Sequence, residues 1–217
     1  MMEIIDLTHE IDEGMPTFTA PWHPLVHIKQ LGRIELEGRE TRELCIGTHT
    51  GTHMDAPLHF IKNGNTIDRI PLDMLIGPVA IVDFSHLKEN HAVTAETLEE
   101  AKLAKRTIFK FGWGRHWGSK KFFKDYPYFT ADAAEYLLSK KVELIGIDTP
   151  SPDDSRIKLG GEVDSPVHKT LLDKDVVLIE YLANLDRVRD CGGWNIIALP
   201  LKIKGADASP ARVCIYR

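Results

Sequence analysis

The chain has 217 residues, 43% hydrophobic and 27% charged, with 27 Lys and Arg against 32 Asp and Glu for a formal net charge of −5. That composition excludes an intrinsically disordered chain, and it leaves no basic stripe to track a phosphate backbone, so nucleic acid is not an expected partner. No stretch nears eighteen apolar residues, and the opening MMEIIDLTHE lacks a basic start before an apolar core, so neither a membrane span nor a signal peptide is expected.

Short runs rich in Val and Ile, bounded by Gly, Pro or Asp, predict strands at 4–7, 25–31 and 42–46. The next segment, 49–60, reads HTGTHMDAPLHF. Thr48, Thr50 and Thr52 are β-branched, Gly51 is a weak helix former and Pro57 blocks extension, so a strand running into a shaped loop is expected. Further strands are predicted at 79–84, 107–111, 144–147, 176–180, 196–201 and 213–216. Thr94 is placed to cap a helix over 95–103, and Thr130 one over 131–140. Ser165 followed by Pro166 opens a short helix through Leu172. The segment 113–124, WGRHWGSKKFFK, reads as an aromatic, basic loop able to act as a flap. More strands than helices, mixed along the chain, imply an α/β or α+β fold with a substantial sheet. Cys45, Cys191 and Cys214 are odd in number and far apart, which suits reduced thiols in a cytoplasmic protein.

His49, His53, Asp55 and His59 fall within eleven residues. Three imidazoles and a carboxylate are the donors borderline divalent metals prefer. An isolated histidine is usually a surface or core residue, as expected for His9, His23, His27, His86, His91 and His116. On a regular strand, four residues span about 13 Å, too far for His49 and His53 to share an ion, so the chain must fold back. Gly51 permits that. Glu180 closes a VVLIE run, where a buried carboxylate needs a compensating cation.

HTGTHMDAPLHF resembles the His-x-Gly-Thr-His-x-Asp-x-Pro-x-His signature of the cyclase family of metal-dependent hydrolases, which includes the kynurenine formamidase branch. IIDLTHEI, LIGIDTPSPD, HKTLLDKDVVLIEYLANLD and LPLKIKGADASPARV agree with it, so the resemblance spans nearly the whole chain. It implies one domain over 1–217 with a swivelling β/β/α fold, a mixed sheet and flanking helices, assembled as a homodimer or homotetramer. It assigns His49, His53 and Asp55 to one metal, and Asp55, His168 and Glu180 to a second. Two zinc ions are expected, with manganese the alternative. His59 takes the proton-transfer role, in keeping with histidine's ordinary titration near neutrality. The implied reaction is hydrolysis of an amide in a small molecule, an aryl formamide such as N-formylkynurenine, by metal-activated hydroxide. In the N-terminal loop, MPTFTAPWHP, Phe18 stands where the formamidase branch has a tryptophan; Phe18 and Trp22 are the candidate substrate-contacting aromatics. The alternatives are a single-manganese lactam hydrolase of the isatin hydrolase type and a non-catalytic metal- or ligand-binding protein.

Overall fold

The structure is a computed structural model that describes residues 2–217. Its strands, in chain order, are β1 (Ile4–Asp6), β2 (His27–Gly32), β3 (Thr41–Cys45), β4 (His53–Asp55), β5 (Ile76–Pro78), β6 (Ala80–Asp83), β7 (Ala92–Val93), β8 (Arg106–Lys110), β9 (Tyr128–Phe129), β10 (Leu144–Ile147), β11 (Val177–Glu180), β12 (Asn195–Pro200) and β13 (Ala208–Tyr216). The helices are α1 (Ile34–Glu37), α2 (Leu72–Leu75), α3 (Ala95–Glu99), α4 (Ala131–Ser139) and α5 (Pro166–Leu172).

Nine strands form one mixed sheet, ordered β5-β12-β13-β4-β11-β10-β8-β6, with β1 on β13. β11, β10, β8 and β6 run parallel, and the pairs from β11 through β4, β13 and β12 to β5 are antiparallel. The two ends of this order, β5 and β6, are chain neighbours separated only by Val79, so the sheet nearly closes on itself. At the seam the buried Arg106 guanidinium donates to the carbonyls of Met74 and Asp73. Gly77, at φ 138°, gives it room, since a Cβ there would lie 3.0 Å from the guanidinium.

Both faces of the central strands are buried. Ile108, Leu144, Val177 and Ile179 point inward with Met54, Ile196 and Val213. Phe109, Ile145, Ile147 and Leu178 face outward and are covered by Ala133, Ala134 and Leu137 of α4 and by Val167 and Leu171 of α5. A closed sheet with helices on its outer face has this two-sided alternation.

Each of the nine predicted strands is present, but several predicted details are corrected. In 49–60 the order is reversed: a turn carries His49, β4 follows, and a 3-10 turn holds Pro57–His59. α3 stops at Glu99, four residues early, because Glu99 and Glu100 oppose the dipole at its C-terminus and the chain must turn to enter β8. α4 ends at Ser139, and the Thr130 hydroxyl donates to the Val93 carbonyl and does not cap the helix. Ser165 does not cap α5 either; Asp153 does, accepting Val167 N–H at 2.7 Å. The segment 113–124 is not a free flap. It forms two 3-10 turns, with Trp113 and Phe122 in the core and Asp148 accepting the Phe111 and Trp113 N–H groups at 2.9 Å each.

Candidate metal centre

Adjacent strands β4 and β11 carry the centre of the site. Their antiparallel register sets Glu180 opposite His53 and Leu178 opposite Asp55, so His53, Asp55 and Glu180 come to one place. Gly51, at φ 61°, folds the preceding turn back and delivers His49, whose Nδ1 lies 2.9 Å from Asp55 Oδ1. The 3-10 turn after Ala56 swings His59 round, with its ring centroid 4.1 Å from that of His49. α5 supplies His168, whose Nε2 is 3.1 Å from Glu180 Oε1 and 3.6 Å from Asp55 Oδ2. All six sequence-predicted polar site residues therefore converge. Two clusters have ligand atoms mutually within 4.8 Å, His49–Asp55–His59 and His53–Asp55–Glu180, and they share Asp55.

Two acids missed by the sequence reading hold the imidazoles. Asp153 Oδ2 accepts from His168 Nδ1 at 2.5 Å while the same carboxylate caps α5. Asp207 Oδ2 lies 2.9 Å from His49 Nε2 and 3.5 Å from His59 Nδ1. Both acids sit in segments that carry the resemblance, LIGIDTPSPD and KGADASPARV, but a single acid far from the histidines carries no spacing signal. His23 was also set aside as unclustered; its ring stands 5.5 Å from that of His49.

His53 donates Nδ1–H to the Gly51 carbonyl at 2.8 Å. A carbonyl only accepts, so this bond fixes the tautomer. Burial lowers the His53 pKa to about 4, so the ring is neutral and Nε2 presents a lone pair. That lone pair faces Asp55 Oδ1 at 3.5 Å and Glu180 Oε2 at 3.4 Å. Both Asp55 oxygens and Glu180 Oε1 are buried with no hydrogen-bond partner, although imidazole nitrogens stand at contact distance: the approach is close but not aligned as a hydrogen bond. Buried carboxylates facing lone pairs repel unless a cation lies among them. Burial, reinforced by the charge on Asp55, raises the Glu180 pKa to about 7. Burial also opposes protonation of His49, but Asp55 and Asp207 outweigh it and raise that pKa to about 10. Nitrogen and oxygen donors without thiolate fit a divalent metal.

Aromatic rings wall the cluster. Tyr181, held at φ 58° just after Glu180, meets His53 edge-on at 5.0 Å and packs against Trp117, Phe122 and Phe123. Phe60 covers His59 and His168 at 4.4 and 4.9 Å. Phe18 contacts His23 at 5.6 Å and Phe123 at 5.9 Å, whereas Trp22 is 68% exposed with its ring 6.5 Å from His23.

The family described as putative cyclase matches residues 5–154. Kynurenine formamidase of Bacillus thuringiensis subsp. konkukian (strain 97-27) is 30% identical over 213 residues, covering 98% of this chain and 97% of its own. The enzyme of that name from Bacillus cereus (strain ATCC 10987 / NRS 248) is 33% identical with the same coverage. Among solved structures, an isatin hydrolase bound to the product analogue thioisatinate superposes with TM-score 0.87 at 27% identity, covering 100% of this chain and 92% of that one. Fold, site and relatives define the class, a metal-dependent amidohydrolase. Within that class, the chain belongs to the cyclase family.

Proposed function

We propose that the chain hydrolyses an aryl formamide, with N-formylkynurenine the leading substrate, using two zinc ions. The observation that carries this reading is the pair of ligand clusters sharing Asp55, one with His49 and His59 and the other with His53 and Glu180, under a wall of aromatic rings. His49, His53 and Asp55 would hold one ion, and Asp55, His168 and Glu180 the other. When bound, the ions supply an activated water and a Lewis acid for the carbonyl oxygen. His53 and His168 keep the correct nitrogen turned inward through Gly51 and Asp153. His59 passes a proton to the departing aryl amine. Phe18 stacks on the aryl ring and, with Tyr181 and Phe123, excludes water; Trp22, 68% exposed, stands at the outer edge of this wall beside His23.

The second reading is a single-manganese enzyme opening a cyclic amide, favoured by the superposition on isatin hydrolase. The bare oxygens of Asp55 and Glu180 beside His168 favour two ions. The free thiols of Cys45, Cys191 and Cys214 fit a cytoplasmic setting. No helix among the described residues is long and apolar enough to cross a membrane. We also propose one domain over 1–217 and a homodimer, supported by the β2–β3 hairpin. Around it Trp22, Leu25, Leu31, Ile34, Leu36 and Leu44 are each more than half exposed.

Metal quantification on gently purified protein, paired with assays on N-formylkynurenine and isatin, tests the reading. Two ions and formamide cleavage support it; one ion and ring opening favour the second reading. His59→Ala is expected to keep its metal and lose about 10²- to 10⁴-fold in kcat. Full activity in that variant would remove His59 from the mechanism.

A further inference from the structure

Asp207 is a half-buried carboxylate with no lysine or arginine against it among the described residues, although Lys202 and Lys204 precede it in sequence. Its ionic contacts are both imidazoles, and both are made through Oδ2: His49 Nε2 at 2.9 Å and His59 Nδ1 at 3.5 Å. The first is a hydrogen bond, and the second is a small ring movement from one.

The backbone holds this acid in place. Ala56 N–H donates to the Asp207 carbonyl at 2.9 Å, and the next residue, Ala208, lies opposite Asp55 in the sheet. Ile67 N–H binds the Ala206 carbonyl at 2.9 Å, and Gly205 N–H binds the Asp68 carboxylate at 2.9 Å. Asp207 is thus fixed to the same strand and turn that carry Asp55 and His59, and it moves with them.

An ionised carboxylate only accepts, so a ring nitrogen facing it carries the hydrogen. Both nitrogens of His49 face carboxylates, Nε2 toward Asp207 and Nδ1 toward Asp55, each at 2.9 Å; a cation bound on the Asp55 side would displace the Nδ1 hydrogen and leave Nε2–H on Asp207. Nδ1–H on His59 leaves Nε2, which has no protein partner among the described residues, as the nitrogen able to take up and release a proton. We propose that Asp207 is a positioning residue that sets the tautomer and orientation of both His49 and His59, so that one carboxylate serves a metal-side imidazole and the proton carrier together. The inference rests on the role given to His59 under the proposed function.

The test uses the zinc-loaded full chain with Asp207→Ala and the isosteric Asp207→Asn, each also in a His59→Ala background. Asp207→Ala is expected to lower kcat about 10- to 100-fold with KM nearly unchanged. Asp207→Asn should fall between, since its amide oxygen still accepts, and it replaces the alanine variant if that chain does not fold. In the His59→Ala background the Asp207 change should cost less than it does in the wild type, because only its action through His49 is left. Independent, multiplying losses would overturn the proposal. Nitrogen NMR of labelled histidine supplies a readout free of turnover: His59 should hold its hydrogen on Nδ1 and His49 on Nε2, and both preferences should weaken in Asp207→Ala. Unchanged tautomers would overturn the proposal even if activity fell. Should the loaded wild type cleave no amide, the functional reading falls while the NMR result still decides the role of Asp207.

Discussion

His53 and His168 reach the cluster with their outer nitrogens already engaged, one by a backbone carbonyl and one by a carboxylate. Protons and metal compete at His49, His168 and Glu180. Burial opposes protonation of His168, but the Asp153, Asp55 and Glu180 carboxylates outweigh it and hold its pKa well above that of a free histidine. The His49 and Glu180 values, about 10 and about 7, also lie above those of the free side chains, so all three groups hold protons below neutrality and must release them to bind a cation. The sign follows: zinc affinity rises with pH, about tenfold per unit for each proton displaced, more steeply below pH 7 than above it. Calorimetric titration in buffers of different ionisation enthalpy reads that proton count directly. Glu180→Ala should lose one of two ions; an unchanged stoichiometry would remove Glu180 from the ligand set. At this scale the dense 49–59 segment was legible because its residues are neighbours in sequence. Asp153 and Asp207 were not, because the sheet register brings them in from far along the chain.

At the scale of elements, Asp148 ties the end of β10 to the chain leaving β8 and so fixes the 113–124 turns that bring Trp117 and Phe123 to the site. Removing its carboxylate in Asp148→Ala strands two buried N–H groups, at about 1–3 kcal/mol each. The expected result is a lower unfolding temperature together with loss of hydrolysis as the aromatic wall shifts; unaltered melting would show that the turns stand without it. Burial raises the Asp148 pKa from 3.8 to about 6, so the folded state holds its proton more tightly than the unfolded one. This group's contribution, about 3 kcal/mol, is present below pH 4 and is lost as pH rises through 6. The pH slope of unfolding over that range should be weaker in the variant than in the wild type. Strands made of Val and Ile runs were readable from the sequence. β4 was misplaced within 49–60 because two of its three residues, His53 and Asp55, are polar site groups; β7 and β9 were hidden because they are two residues long, and the start of β13 because Ser209 and Pro210 interrupt the apolar pattern.

For the molecule as a whole, the β2–β3 hairpin lies outside the main sheet, and every residue of β3 is exposed. A two-stranded ribbon is marginal by itself in water and gains stability from cover. Replacing Leu31 and Leu44 with glutamate should convert a dimer to a monomer in sedimentation, with unfolding of the main sheet little changed because neither side chain is in the core. A monomeric wild type would discard the homodimer. The sequence pattern carried the sheet-rich architecture through its strands; it could not carry the near-closure, which depends on two consecutive short strands parting at Val79 to opposite ends of one ladder. That seam has a bearing on durability. β4 and β11 occupy the fourth and fifth places among the eight strands running from β5 to β6. Fraying that begins at Val79 must unzip three strands from either side before it reaches the acids and imidazoles, so the chemistry sits in the part of the wall most insulated from local opening.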